Sequence, residues 1–308
     1  MPLHPQCKAF LDQLAAMGGP GLHELTPADA RARAMPPELG GVETPVHQID
    51  NRTVPGPGGP IPVRVYRPTA DAALPGVVYF HGGGFVIGGL DMNDRPCREI
   101  AVRARCVVVS VDYRLAPEHP FPAAVDDAYA ATRYVAEHAA EFGIDPARLA
   151  VMGDSAGGNL ATVTALKARD AGGPALRFQL LVYPQVLLDD DGSASMREFG
   201  QNHFLTAETM AYFRQHYCPD PAARRQPHAS PMLADVRGLP PAFVLTAECD
   251  PLRDQGEAYA RRLQEAGVPV TLKRYDGMFH PFFSLAGVID GAKQAVADVA
   301  AALAGALA

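Results

Sequence analysis

Short apolar runs alternate with amphipathic stretches along most of this chain. Pro75–Phe80, Cys106–Tyr113, Leu149–Met152, Phe178–Tyr183, Ala242–Thr246 and Val270–Tyr275 read as strands. Between them, Asp94–Ala104, Pro122–Ala140, Ala156–Arg169, Asp254–Ala266 and the stretch from Ile289 onward read as helices. Continuous apolar runs suit strands buried on both faces. Their alternation with helices predicts an α/β fold, a mostly parallel twisted sheet with helices on both faces. Ahead of it, Leu3 to Met35 reads as two short helices, the second with Thr26 as N-cap and Pro27 at the first helical position. Asn51–Pro62, dense in Pro and Gly, reads as a hairpin or loop between strands. One stretch breaks the rhythm. Val186–Ala229 is polar, partly helical and set between two sheet strands, which suits an insertion over the sheet's carboxyl edge, where open α/β sheets bind ligands.

Composition narrows the class. A chain of 308 residues is long enough for one large α/β domain or about two smaller ones. Its 48% hydrophobic and 20% charged residues are an ordinary soluble mix. A net charge of −7 argues against nucleic acid as a partner, because phosphate recognition begins with a basic surface. No uninterrupted apolar stretch is long enough for a membrane span, and the N-terminus has no basic region followed by an apolar one, as a secretory signal would. The five cysteines are odd in number and scattered, with no C-x-x-C pair. Disulfides and a metal site are therefore disfavoured, and a reducing, cytoplasmic location is expected.

The strongest local signal is Gly153-Asp154-Ser155-Ala156-Gly157, between a strand and a helix. A sharp strand-to-helix turn exposes a serine hydroxyl there, and small neighbours let the backbone come close. The same stretch has phosphate-loop glycine spacing, but Asn159 and Leu160 stand where that loop needs Lys and Ser/Thr. A second signal, His81-Gly82-Gly83-Gly84, directly follows a strand. Acyl transfer builds an oxyanion that needs preorganised N–H donors, and a glycine run supplies backbone amides without side-chain obstruction. Gly82, Gly83 and Ala156 are the expected donors. A serine also needs a histidine base and a carboxylate to orient it, in the order nucleophile, acid, histidine. Downstream of Ser155, His203, His216 and His228 fall in the polar insertion, whereas His280 follows a strand. For the acid, Glu248, Asp250 and Asp254 follow the preceding strand. Asp250, before Pro251, lies in the turn itself, while Asp254 reads as a helix-start cap, so Asp250 is preferred.

These motifs resemble the hormone-sensitive-lipase family of α/β-hydrolases, the bacterial family IV esterases. The resemblance rests on HGGGF at His81–Phe85, DYRLAPEHPFPAA at Asp112–Ala124, GDSAGGN at Gly153–Asn159, DPLRD at Asp250–Asp254 and GMFH at Gly277–His280. It implies an α/β-hydrolase fold with a helical cap, formed from residues 1–50 and the insertion at about 186–229, over a catalytic domain at 51–308. It implies a triad of Ser155, Asp250 and His280, an oxyanion hole at Gly82, Gly83 and Ala156, and a holding role for His81. The implied activity is carboxylesterase, acting on small-molecule esters without a cofactor. Short- to medium-chain acyl groups are expected, with Phe85, Leu205, Met210 and Phe213 closing the pocket. Amides and lactones suit the same triad. The plant gibberellin receptors, non-catalytic look-alikes of the family, lack the histidine that stands here as His280. The resemblance also implies a homodimer through the edge strand at Val270–Tyr275, since an unpaired edge is a template for a second copy.

Overall fold

Eight strands form one sheet in the computed structural model, which describes residues 2–33, 36–189 and 192–308. They are β1 Gln48–Gly56, β2 Gly59–Arg67, β3 Leu74–Phe80, β4 Val107–Val111, β5 Ile144–Asp154, β6 Phe178–Val182, β7 Ala242–Cys249 and β8 Val270–Phe279. The order across the sheet is β1-β2-β4-β3-β5-β6-β7-β8. Pairing is antiparallel from β1 through β2 to β4 and parallel from there to β8. The helices are α1 Pro5–Met17, α2 Pro27–Ala32, α3 Asp94–Ala104, α4 Ala123–Glu137, α5 Ala139–Phe142, α6 Ala156–Asp170, α7 Ala194–Phe199, α8 Ala207–Tyr217, α9 Pro221–Arg224, α10 Arg253–Glu265 and α11 Asp290–Ala306.

Strand alternation sends successive side chains to opposite faces, and the sheet has a core on each. Val78 and Phe80 of β3 join one core with Val125 of α4, Leu160 of α6 and Leu263 of α10. Val77 and Tyr79 enter the other with Ile100 of α3 and Val296 of α11. Burial on both sides explains the apolar runs of β3, β4 and β6, interrupted only by the buried Ser110 and Gln179.

Several boundaries differ from the sequence reading. Asn51–Pro62 lies almost wholly in a paired hairpin, β1 and β2. Its prolines are tolerated because Pro55 lies on the outer strand β1, and Pro60 and Pro62 on β2 come before that strand's pairing with β4, which begins at Val63. The sheet therefore begins at Gln48, inside the segment assigned to the cap. β8 runs on through Asp276–Phe279, expected as loop, so His280 stands at a strand's end. Two N-terminal helices are present, with the Thr26 side chain accepting the Asp29 N–H. Met35, where that reading ended, lies outside the described residues.

The insertion carries α7, α8 and α9. Its two roots bond each other directly, the Met232 N–H to the Val186 carbonyl at 3.0 Å and the Leu188 N–H to Ser230 Oγ at 2.9 Å. One side chain bridges both: Asn159 Nδ2 donates to the carbonyls of Gln185 at 2.9 Å and Ala229 at 3.0 Å. Gln255 adds to this by accepting the Val186 and Leu187 N–H groups. Among the described residues, no helix is long and apolar enough to cross a membrane.

Candidate active site

Parallel strands end on the same edge of the sheet, and four of these ends carry residues the sequence singled out. His81 follows β3, Ser155 follows β5, Asp250 follows β7 and His280 follows β8. Ser155 adopts φ 56°, a left-handed conformation unusual for a residue with a side chain. It sits between strand and helix, so its strain buys a sharp turn. Glycine is obligatory on both flanks. A Cβ on Gly153 would lie 2.1 Å from the Gly157 carbonyl oxygen, and one on Gly157 would lie 1.9 Å from that of Phe80. The Ser155 N–H donates to Val182 at the end of β6.

Asp250 is completely buried. Its Oδ2 lies 2.9 Å from His280 Nδ1, and its Oδ1 accepts the Leu252 N–H at 2.8 Å. With Nδ1 facing the carboxylate, Nε2 is the ring nitrogen left for other work. The ring of Tyr183, the residue after β6, lies 4.4 Å from the His280 ring and limits its rotation. Residues 182 and 183 thus touch Ser155 on one side and His280 on the other. The two rival acids lie elsewhere. Glu248 Oε2 accepts the Gly277 N–H at 2.6 Å. Asp254 does not cap α10, whose N-cap is Leu252; its Oδ2 accepts the Ser195 N–H at 2.8 Å and so ties α7 of the insertion to the acid's turn. His203, His216 and His228 stay within the insertion or at its root, apart from this pair.

The glycine run after β3 differs from expectation at one residue. The Gly82 N–H donates to Asp154 Oδ1 at 3.0 Å, so this amide is engaged inside the protein and is not an available donor. The N–H groups of Gly83 and Gly84 have no acceptor among the described residues. Ala156 is the first residue of α6, so its N–H has no intrahelical partner and lies at the positive end of the helix dipole. His81 is buried and stacked on Tyr113, with ring centroids 4.3 Å apart, and its Nδ1 lies 2.7 Å from the Gly82 carbonyl. Burial pushes its imidazole down to about 4, against the Gly82 hydrogen bond, so it stays neutral. Gly84 was not among the expected donors, although the glycine run contained it. Nothing local in the sequence indicated that an aspartate 72 residues away would take the Gly82 amide.

The four expected pocket residues separate into three groups. Phe85 is 1% exposed and stacks on Tyr217 with centroids 3.8 Å apart, so it fastens the loop to the end of α8 and does not line an opening. Phe213 lies directly over Gly84, where a Cβ would meet its ring at 2.1 Å. Leu205 and Met210 form a small cluster with Met196 and Leu252, above the acid's turn. From the N-terminal segment, Arg31 of α2 reaches the same region. It donates to the carbonyls of Val86 at 2.7 Å and Ala116 at 2.6 Å and pairs with both Glu118 oxygens.

Known proteins share this architecture. A family profile described as the alpha/beta hydrolase fold matches residues 77–284. The carboxylesterase NlhH of Mycobacterium tuberculosis is 46% identical over 289 residues, covering 91% of this chain and 88% of that protein. The ethyl acetate hydrolase of Pseudomonas putida is 39% identical over 320 aligned positions, covering 98% and 99%. The solved structure of a hyperthermophilic esterase from Pyrobaculum calidifontis superposes with a TM-score of 0.95 at 43% identity, covering all of both chains.

Proposed function

Because the chain belongs to the hormone-sensitive-lipase family of α/β-hydrolases and is a carboxylesterase, we propose that Ser155, His280 and Asp250 carry out its hydrolysis. In this reading Ser155 Oγ attacks the ester carbonyl carbon while His280 Nε2 takes its proton. The carbonyl π electrons move to oxygen, and the N–H groups of Gly83, Gly84 and Ala156 receive the oxyanion. Collapse breaks the bond to the alcohol oxygen, which takes the proton back from His280. Water then attacks the acyl-serine with His280 again as base, releasing the carboxylic acid and restoring Ser155. Asp250 keeps the proton of the neutral imidazole on Nδ1 and offsets the charge of the imidazolium. The observation that carries the assignment is the 2.9 Å contact between Asp250 and His280 at the strand ends that also hold the strained Ser155. Ser155→Ala should abolish p-nitrophenyl butyrate hydrolysis and labelling by a fluorophosphonate. Retained labelling would reject Ser155 as nucleophile.

The substrates we propose are esters of short- to medium-chain acids. α8 lies close on the oxyanion loop, with Phe213 against Gly84 and with Leu205 and Met210 packed over the acid's turn. Apolar contact gains about 0.8 kcal/mol per methylene only while there is space to bury it. The N-terminal helices and the insertion together form the cap in this reading, with Arg31 joining the first of these to the loops below. A series of p-nitrophenyl esters of rising chain length should peak early. Rates still rising through long-chain triglyceride emulsions would overturn the proposal.

A further inference from the structure

Asp154 is one residue before Ser155 and only 2% exposed, yet it has no part in the steps above. Its Oδ1 collects three donors: the Tyr79 hydroxyl, the Gly82 N–H at 3.0 Å and Asn93 Nδ2 at 3.3 Å. Its Oδ2 presses on Gly82, where a Cβ would lie 2.5 Å away, so only glycine fits beside the carboxylate. Asn93, also buried, accepts the Ser284 hydroxyl on its Oδ1 at 2.8 Å. Ser284 closes the 3-10 turn Phe282–Ser284, just beyond His280. One buried chain of hydrogen bonds therefore joins the oxyanion loop, the nucleophile elbow, the start of α3 and the segment that carries His280.

A run of three glycines has more backbone freedom to lose than any other tripeptide. Left to itself, it would spread its amides over many directions, and an oxyanion hole works only if its dipoles are already aimed. A buried carboxylate is a strong fixed acceptor for the first of these amides. Once the Gly82 peptide plane is turned inward, Gly83 and Gly84, at φ 112° and 60°, carry the chain around so that their own N–H groups remain unengaged.

We propose that Asp154 is a positioning residue, which ties down the Gly82 amide so that those of Gly83 and Gly84 stand in register for the oxyanion, and which holds this loop against the His280 segment through Asn93 and Ser284. The proposal rests on the oxyanion hole described above. It makes a sharp distinction between two substitutions. All three donors converge on a single oxygen, so Asp154→Asn can place its amide oxygen there and keep every hydrogen bond. Asp154→Ala can keep none.

Both variants are compared with the native chain on p-nitrophenyl butyrate, with rates expressed per fluorophosphonate-titrated serine and thermal midpoints recorded. Asp154→Ala should lose kcat by about 10²–10³-fold, the scale of a lost oxyanion donor. Its KM should stay within about threefold, since the interaction is made in the transition state. A trifluoromethyl ketone, whose hemiketal oxygen occupies the same hole, should lose affinity in parallel. Asp154→Asn should remain within about tenfold of native in kcat. A folded Asp154→Ala with native kcat, or one whose loss lies entirely in KM, overturns the proposal. So does a folded Asp154→Asn that is slowed beyond about a hundredfold, because charge and not hydrogen-bond geometry would then be at work. If Asp154→Ala does not fold, Asp154→Asn alone decides by that criterion. Failure of the underlying assignment of Ser155 as nucleophile is seen separately, as activity that survives Ser155→Ala.

Discussion

Replacing Asp250 with asparagine exchanges one carboxylate oxygen for an NH₂ group and confronts the site with a choice. In the native site, Oδ1 accepts the Leu252 N–H at 2.8 Å and Oδ2 faces His280 Nδ1 at 2.9 Å. If the new amide keeps its oxygen on Leu252, its NH₂ faces Nδ1 and drives the imidazole proton to Nε2, the nitrogen that must receive the serine proton. If the amide flips, the correct tautomer survives, but the buried Leu252 N–H meets another donor. That costs about 1–3 kcal/mol. The charge is lost either way. Unit charges 2.9 Å apart attract by about 6 kcal/mol at an effective dielectric of about 20. The amide dipole recovers part of this when the imidazolium forms. A net loss of about 4–5 kcal/mol in the transition state corresponds to about 10³–10⁴ in kcat, the scale found when a serine protease's triad aspartate is changed to asparagine. Steady-state kinetics on p-nitrophenyl butyrate, per titrated serine and beside a matched thermal midpoint, measures it. Asp254→Asn and Glu248→Gln should each cost less than about tenfold, because their contacts run to Ser195 and Gly277 and not to the base. A crippled Asp254→Asn beside a near-normal Asp250→Asn would refute the reasoning.

Three further outcomes follow from the geometry. Gly157→Ala should yield no active folded protein, because its Cβ would sit 1.9 Å from a backbone oxygen that cannot move aside; soluble expression and labelling of Ser155 check this. His81 is held neutral by burial down to about 4, so it binds a proton in the unfolded chain, near its ordinary value of about 6.5, before it does so in the fold. Stability from this group is therefore complete above about pH 6.5 and falls by about 3 kcal/mol toward pH 4, and His81→Asn should flatten that part of a denaturation profile by about one proton. Phe213→Ala opens space over Gly84, so the preferred acyl chain in an ester series should lengthen; an unchanged optimum would place the acyl group elsewhere.

Much of this was legible in the residues because it is local. The tight turn at Ser155 demands glycine at 153 and 157 on steric grounds alone, and the same grounds make it readable. The strands β3, β4 and β6 announced themselves because burial on both faces leaves almost no polar position, with Ser110 and Gln179 the two exceptions, both buried. The hairpin of β1 and β2 did not, since Pro55, Pro60 and Pro62 resemble loop until one knows that Pro55 sits on the edge strand and that Pro60 and Pro62 precede the stretch of β2 paired with β4. Nor did the end of β8, where Asp276 and Gly277 imitate a turn. The engagement of Gly82 by Asp154 was out of reach for another reason. A backbone amide has the same identity at every residue, and only its tertiary neighbour determines whether it is free. Likewise Asp254 looked like a helix cap because its partner, Ser195, is 59 residues away.

The double hydrogen bond of Asn159 has a consequence for how this protein can change. By holding Gln185 and Ala229 at once, it fixes both ends of the excursion to one buried side chain, beside the Met232–Val186 and Leu188–Ser230 hydrogen bonds that join the same roots. The cost of bringing distant ends of a loop together rises only slowly with length, about 0.6 kcal/mol per doubling. The segment over the site is thus an exchangeable part on a fixed mount. Its length and side chains are open to replacement while the mount, one helical turn beyond Ser155, stays in place. New substrate preferences can therefore arise by rewriting the excursion without disturbing the helix that begins after Ser155.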